Sequence, residues 1–223
     1  MDFIQKLKNR LDVPHRPAEK AQRLMESSAR TKEFSFQYKE RKKTRVAAVL
    51  MLLYPSQSET RDENGKQKFD WGLPLVLRPQ YEGVHNHGGQ IGLPGGGREE
   101  QDENLMMTAI RETQEEIGVI VPKINILGSL SDLYIPPSDS LVTPFVGFLN
   151  AKPSFIPDPK EVARVIEAPL SFLQNPALRM QKQVKLANDV VLDVPYFAVN
   201  DDSIWGATAM MLSEFLHLIE EIE

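Results

Sequence analysis

From Val46 to Tyr54 the chain carries nine consecutive apolar residues, VAAVLMLLY, between Arg45 and Pro55. A run of that length cannot cross a bilayer, which takes about 20 residues. Rich in Val and Leu, it reads as the central, buried strand of a sheet. The 223 residues suffice for one good core, and a single domain with an elaborated N-terminus fits better than two. The opening MDFIQKLKNRLD is charged throughout and has no apolar core followed by small residues, so no secretory signal is read there and the cytoplasm is the expected compartment. Cysteine is absent, which excludes disulfides, thiolate zinc sites and cysteine nucleophiles. Any metal must be held by oxygen or imidazole, and that favours a hard cation.

Other elements follow from pattern. Phe3, Ile4, Leu7 and Leu11 recur at helical spacing, predicting a short amphipathic helix over 2–12, before Pro14 and Pro17. That apolar face fits either the chain's own sheet or a second subunit in a homodimer. Residues 18–43 are charge-rich and read as helix or extended arm, so 1–43 form an extension and 44–223 the main domain. Ser56 to Lys68, with Asn64-Gly65, has turn chemistry and leads into LPLVLR, which makes a long hairpin with the first apolar run. Strands are expected at Lys123 to Leu133, Leu141 to Leu149 and Val190 to Val199. Helices are expected at Asn104 to Ile117, at Lys160 to Leu173 with a break at Pro169, and at Gly206 to Ile222. Trp205 and Phe215 read as core anchors of the last helix. The alternation gives an α/β chain with a mixed sheet between helices.

Charge is concentrated. Residues 98–116 contain Glu99, Glu100, Asp102, Glu103, Glu112, Glu115 and Glu116 against Arg98 and Arg111, an excess equal to the whole chain's formal net charge of −5. The remainder is electrically even, which argues against a nucleic-acid-binding surface. Just before this segment, Pro94-Gly95-Gly96-Gly97 is expected to break regular structure and let the backbone approach a ligand. Asn104 suits a helix N-cap and Gly118 a helix stop. On that helix Glu112, Glu115 and Glu116 stand at i, i+3 and i+4, within roughly 100° of arc. Like charges at this spacing repel, and a helix C-terminus disfavours anions. A solvated acidic face relieved by an Arg111–Glu115 pair is the plain explanation. The alternative is a site for Mg²⁺ or Mn²⁺, ions that accept a few carboxylates and complete their shells with water and phosphate oxygens.

A family resemblance decides between them. Gly97, five residues, Glu103, seven residues, then Arg111-Glu112-Thr113-Gln114-Glu115-Glu116-Ile117-Gly118-Val119 resembles the complete signature of the Nudix hydrolase family, with Thr113 where an aliphatic residue is usual. The resemblance implies a Nudix-type α/β/α sandwich with a mixed sheet and hydrolysis of nucleoside diphosphates linked to another moiety. It implies that Glu112, Glu115 and Glu116 hold the metals or serve as base, that Arg111 orients Glu112, that the Gly96 carbonyl adds a ligand, and that Glu103 supports the site. Glu161 stands either as an alternative base or as a helix N-terminal acid.

Upstream, LVLRPQYEGVHNHGGQIGLPGG resembles the motif of the coenzyme A pyrophosphatase branch at Arg78, His87, Gly89, Gln90, Pro94, Gly95 and Gly96. It departs at Pro79 (usually serine), His85 (usually arginine) and Leu93 (usually phenylalanine). Arg78, His85, His87, Gln90, Gly95, Gly96 and Gly97 are accordingly the candidate substrate-binding residues. His85 and His87 alone, without a third ligand, do not make a zinc site. The implied reaction is metal-dependent cleavage of coenzyme A or an acyl derivative to 3',5'-ADP and a phosphopantetheine. The alternatives are ADP-ribose or another nucleoside diphosphate derivative as substrate, and a nucleotide-binding regulator without turnover. No membrane partner is expected.

Overall fold

A computed structural model describes residues 3–14, 17–28, 44–61, 67–80, 89–185 and 191–223. In chain order its helices are α1 (Phe3–Leu11), α2 (Ala18–Gln22), α3 (Leu105–Ile117), α4 (Leu170–Gln174) and α5 (Gly206–Glu220). Its strands are β1 (Arg45–Arg61), β2 (Gln67–Leu77), β3 (Ile91–Gly92), β4 (Gly95–Gly97), β5 (Ile126–Ser129), β6 (Leu133–Ile135), β7 (Ser140–Phe148), β8 (Arg164–Pro169), β9 (Arg179–Lys185), β10 (Val191–Val199) and β11 (Asp202–Trp205). Among the described residues no helix is long and apolar enough to cross a membrane.

The apolar run is the spine. β1 lies parallel to β7, in register from Arg45↔Ser140 to Leu53↔Phe148, and antiparallel to β2, giving a mixed sheet in the order β3-β2-β1-β7-β5. Because side chains alternate along a strand, a continuous apolar run must be covered on both faces. Ala48, Leu50 and Leu52 pack with Ala109 and Ile117 of α3. Ala47, Met51 and Leu53 join the opposite core, to which Leu7 and Leu11 of α1 and Leu212, Phe215 and Leu216 of α5 belong. Helices on both faces make the α/β/α sandwich. Each fully buried leucine contributes about 2 kcal/mol of transfer free energy. The amphipathic α1 thus spends its apolar face on this chain's own core, and Phe3 stacks on Trp71 with ring centroids 5.7 Å apart.

Four expectations need correction. Gly95–Gly97 is not irregular: it forms β4, antiparallel to β1 with Ala48 opposite Gly96. The absence of side chains is what admits it, since a Cβ on Gly95 would lie 2.3 Å from the Ala48 carbonyl oxygen. The helix expected over Lys160 to Leu173 is β8 followed by the short α4. There β2 offers an open edge, and Val165, Ile166 and Ala168 pair with Val76, Leu75 and Leu73, so sheet pairing overrides helical spacing. The single strand expected over Lys123 to Leu133 is a 3₁₀ turn (Lys123–Asn125), then β5 and β6, which pair with separate stretches of β7. Trp205 is only partly buried and carries the Lys182 ammonium 5.7 Å from its ring centroid, whereas Phe215 is fully buried. The hairpin of β1 and β2 forms as expected, with a register shift between Pro55 and Glu59.

The N-terminal helices are tied to the domain by a buried carboxylate. Glu214 of α5 is fully buried, accepting from Gln22 Nε2 (2.8 Å), Ser131 N (3.1 Å) and Ser131 Oγ (2.7 Å). Glu214→Ala removes the shared acceptor of these three donors, which is expected to cost about 3 kcal/mol. The measurement is urea unfolding, where the midpoint should fall at unchanged m-value.

Candidate active site

The site is where α3 faces β4. Asn104 starts the helix by accepting the Met107 N–H (3.1 Å), and Gly118 ends it in the left-handed conformation at φ 71°. Thr113 is buried, and its hydroxyl donates to the Ala109 carbonyl (2.7 Å), so a threonine stands in an aliphatic place without an unpaired group. Past the helix end, the carbonyls of Glu116 and Ile117 accept from the N–H groups of Asp158 (3.0 Å) and Ile156 (2.9 Å). These would otherwise be orphan acceptors. Their pairing pins the segment after β7 across the helix terminus, and the turn closed by Glu161 N–H to the Asp158 carbonyl (3.0 Å) then presents Glu161.

Three carboxylates meet there. Oxygens of Glu112, Glu116 and Glu161 lie within 4.8 Å of one another. The Glu116 side chain is only 1% exposed and accepts the Gly95 N–H (2.9 Å), with Arg78 Nη2 at 3.5 Å. Glu112 is 12% exposed and lies against Gly96, where an added Cβ would come within 2.5 Å of the carboxyl group. Glycine at 96 is therefore a condition of the approach. Burial raises the Glu116 carboxyl to about 7; Arg78 and the Gly95 N–H oppose that rise, while Glu112 and Glu161 add to it. Burial also pushes Glu112 upward, against the pull of Arg111.

The sequence candidates divide accordingly. Arg111 bridges the site's edge: Nη1 lies 3.0 Å from Glu112 Oε1 and 2.7 Å from Glu115 Oε2, and Nη2 donates to the Gly97 carbonyl (3.0 Å). Glu115 stands on the outer side of the helix, its side chain 56% exposed and paired with Arg111, and it is not in the Glu112, Glu116, Glu161 group. Glu103 faces away, paired with Lys123 at 3.1 Å. Arg78 also donates to the Gly95 carbonyl (3.3 Å), and its backbone exchanges hydrogen bonds with Gln90 and Gly89 (both 3.0 Å), which places Gln90 at the rim. Gly95, Gly96 and Gly97 line the site as β4. His85 and His87 lie outside the described residues. No helix begins at Glu161, so of its two readings the site position remains. Pattern reading passed over Asp102, because the acid at the signature position is its neighbour Glu103.

The donor set fits a hard divalent cation. Three carboxylates gathered at this range, two of them withdrawn from solvent and one already forced toward its neutral form, leave negative charge that a dication relieves. Glu112, Glu116 and Glu161 would hold it.

A mixed sheet between helices, with a glycine strand set against a carboxylate-bearing helix, defines a site suited to metal-assisted phosphate chemistry. Residues 61–182, more than half of the chain, match the family model for the NUDIX domain, and the chain belongs to the Nudix hydrolase family. It is 31% identical over 178 residues to Nudix hydrolase 15, mitochondrial, of Arabidopsis thaliana, a match covering 78% of this chain and 58% of that protein. It is 29% identical over 165 residues to the uncharacterized Nudix hydrolase NudL of Photorhabdus laumondii, covering 66% of this chain and 82% of that one. The crystal structure of a MutT/nudix family protein from Enterococcus faecalis shares the fold, with a TM-score of 0.53 and 16% identity over 86% of this chain and 71% of that chain.

Proton and cation compete for Glu116. Between the ordinary value of 4.5 and about 7 the folded metal-free protein keeps a proton that the unfolded chain has released. Its contribution to stability is therefore complete below about pH 4.5 and is lost as the pH rises through about 7. A metal needs the ionised form, so Mn²⁺ affinity measured by calorimetry should rise from about pH 6 to about pH 8. A flat profile across that window would contradict the assignment of Glu116 as a ligand.

Proposed function

We propose that this chain hydrolyses the diphosphate linkage of a nucleoside diphosphate derivative, and that the substrate is coenzyme A or an acyl-coenzyme A, yielding 3',5'-ADP and the corresponding phosphopantetheine. The observation that carries the reaction is the carboxylate group of Glu112, Glu116 and Glu161 beside β4. Mutually repelling acids, two of them withdrawn from solvent, are costly to a module that only binds nucleotides. They make sense where a cation is required.

A bound Mg²⁺ or Mn²⁺ supplies neutralisation of phosphate charge and acidification of water. The chain's own groups do the rest. Backbone of β4 allows the diphosphate to approach without side-chain obstruction. Arg78, 39% exposed and directed at Glu116 and the Gly95 carbonyl, is placed to pair with a phosphate oxygen. Water attacks phosphorus, the bridging P–O bond breaks, and a carboxylate of the group takes the proton. Arg111 keeps one oxygen of Glu112 engaged at 3.0 Å and so limits its orientations.

Support for coenzyme A is the upstream segment LVLRPQYEGVHNHGGQIGLPGG together with LSDLYIPPSDSLVTPFVGFL, PKEVARVIEAPLSFL and IWGATAMML, all of which resemble that branch. Histidine at position 85 offers a weaker, pH-dependent cation than the usual arginine. ADP-ribose is the rival substrate. A panel of diphosphates assayed with Mg²⁺ and Mn²⁺ separates them: release of 3',5'-ADP supports coenzyme A, and preferential cleavage of ADP-ribose rejects it. Glu116→Gln should slow turnover by roughly 100-fold or more while the protein stays folded, because it removes a charge that burial disfavours. Undiminished activity in that variant would refute the catalytic reading.

A further inference from the structure

We propose that Asp102 is the positioning residue of this site, aiming Arg111 at Glu112, a role that rests on the hydrolase reading above. Asp102 lies three residues from Glu99 in a tight turn, where its N–H donates to the Glu99 carbonyl (3.1 Å). Its side chain is 3% exposed, and four donors converge on it. Oδ1 accepts from Arg111 Nε (3.0 Å), while Oδ2 accepts from Arg111 Nη2 (3.0 Å), the Glu99 N–H (2.9 Å) and the Thr108 hydroxyl (2.9 Å).

This is a two-pronged carboxylate–guanidinium fork, which fixes the guanidinium plane as well as its distance. With Nε and Nη2 committed to Asp102, the remaining nitrogen has one direction left. Nη1 points to Glu112 Oε1 (3.0 Å) and Glu115 Oε2 (2.7 Å). The Arg111 guanidinium and the N–H and hydroxyl donors hold Asp102 well below the usual carboxylate range, so the anchor keeps its charge wherever the enzyme works. Glu103, the acid of the signature, cannot share this task because it faces Lys123 on the surface. Orientation of the site thus runs from the turn before the helix, through Asp102 and Arg111, to the carboxylate beside Gly96. Without the anchor, Arg111 is free to fold over Glu112 and compete with a cation for it.

Five variants test the chain of contacts: Asp102→Asn, Asp102→Glu, Glu103→Gln, Arg111→Gln, and Asp102→Asn combined with Arg111→Gln. Circular dichroism and thermal melting establish that each is folded. For Asp102→Asn we expect kcat to fall about 10- to 100-fold with KM within about threefold, and Mn²⁺ affinity to weaken about tenfold. Asp102→Glu should recover part of both losses, and Glu103→Gln should resemble the parent. In the Arg111→Gln background the Asp102→Asn change should add nothing, since an anchor acts only through what it anchors. Parental kcat and Mn²⁺ affinity in Asp102→Asn, or an undiminished penalty in the Arg111→Gln background, would overturn the proposal. If Asp102→Asn does not fold, Asp102→Glu is read instead: it must shift kcat and Mn²⁺ affinity in the parent and not in the Arg111→Gln background, or the proposal fails. Should the parent cleave no diphosphate at all, the hydrolase reading fails by itself, while the Mn²⁺ measurements still decide whether Asp102 governs the geometry at Glu112.

Discussion

Everything at the site depends on one unfavourable act, the withdrawal of the Glu116 carboxylate from water. The helix that carries it could have turned this position to solvent at no cost, as it does with Glu115 one residue earlier. Instead Glu116 takes part in the buried face of α3, between Thr113 and Ile117, and among the described residues it finds a backbone N–H and a distant guanidinium as compensation. A buried carboxylate with so little to stabilise its charge drifts toward protonation, and here it reaches about 7. The fold tolerates this because the rest of α3 is well packed: Ala109 and Ile117 lock against Ala48, Leu50 and Leu52 of β1. Stability gained across the sheet is what allows a poorly compensated charge to persist at its edge.

The same sheet explains why β4 is built from glycine. β4 is a short edge laid on β1 and covered by α3, and both neighbours approach it more closely than a side chain permits. On one side the Ala48 carbonyl would meet a Cβ at Gly95, and on the other the Glu112 carboxyl would meet one at Gly96. Sheet pairing and carboxylate approach are thus two consequences of a single requirement for bare backbone. A turn of the same composition would satisfy the second alone; regular pairing with β1 adds the rigidity that a site of sub-ångström tolerance needs.

How far the sequence revealed this varies with the range of the interaction responsible. β1, β7, α1, α3 and α5 were legible because each has a local periodicity and a local stop, such as Asn104 and Gly118 for α3. β8 was not, because Val162, Val165 and Ile166 also suit a helix, and only the unpaired edge of β2, distant in sequence, selects the strand. β9 carries almost no apolar alternation in RMQKQVK and is held by β10 from its other side. At the site, Glu112, Glu116, Arg111 and the glycines follow from one contiguous motif, whereas the grouping of Glu161 with them depends on a loop docked at a helix terminus. Glu115 shows the limit of spacing arguments: i and i+3 are neighbours on a helix, yet a residue at the border of the stripe can face either way. The side it faces here was set by Arg111, which engages it at 2.7 Å.

Arg111 in turn resolves a problem of like charge. Three acids within two turns of one helix, with Glu161 added from outside, would push apart the group that a cation needs gathered. A guanidinium placed centrally would relieve the repulsion and also fill the place of the cation. Held from behind by Asp102 and the Gly97 carbonyl, Arg111 instead sits at the periphery, touching Glu112 by one nitrogen and staying clear of the space between Glu112, Glu116 and Glu161 where a cation would fit. Arg78 approaches the group through Glu116, more exposed and more weakly engaged, at 3.5 Å. The two arginines therefore differ in kind: one is fastened at the edge of the carboxylate cluster through Asp102, and the other is more exposed and held there by a single long contact.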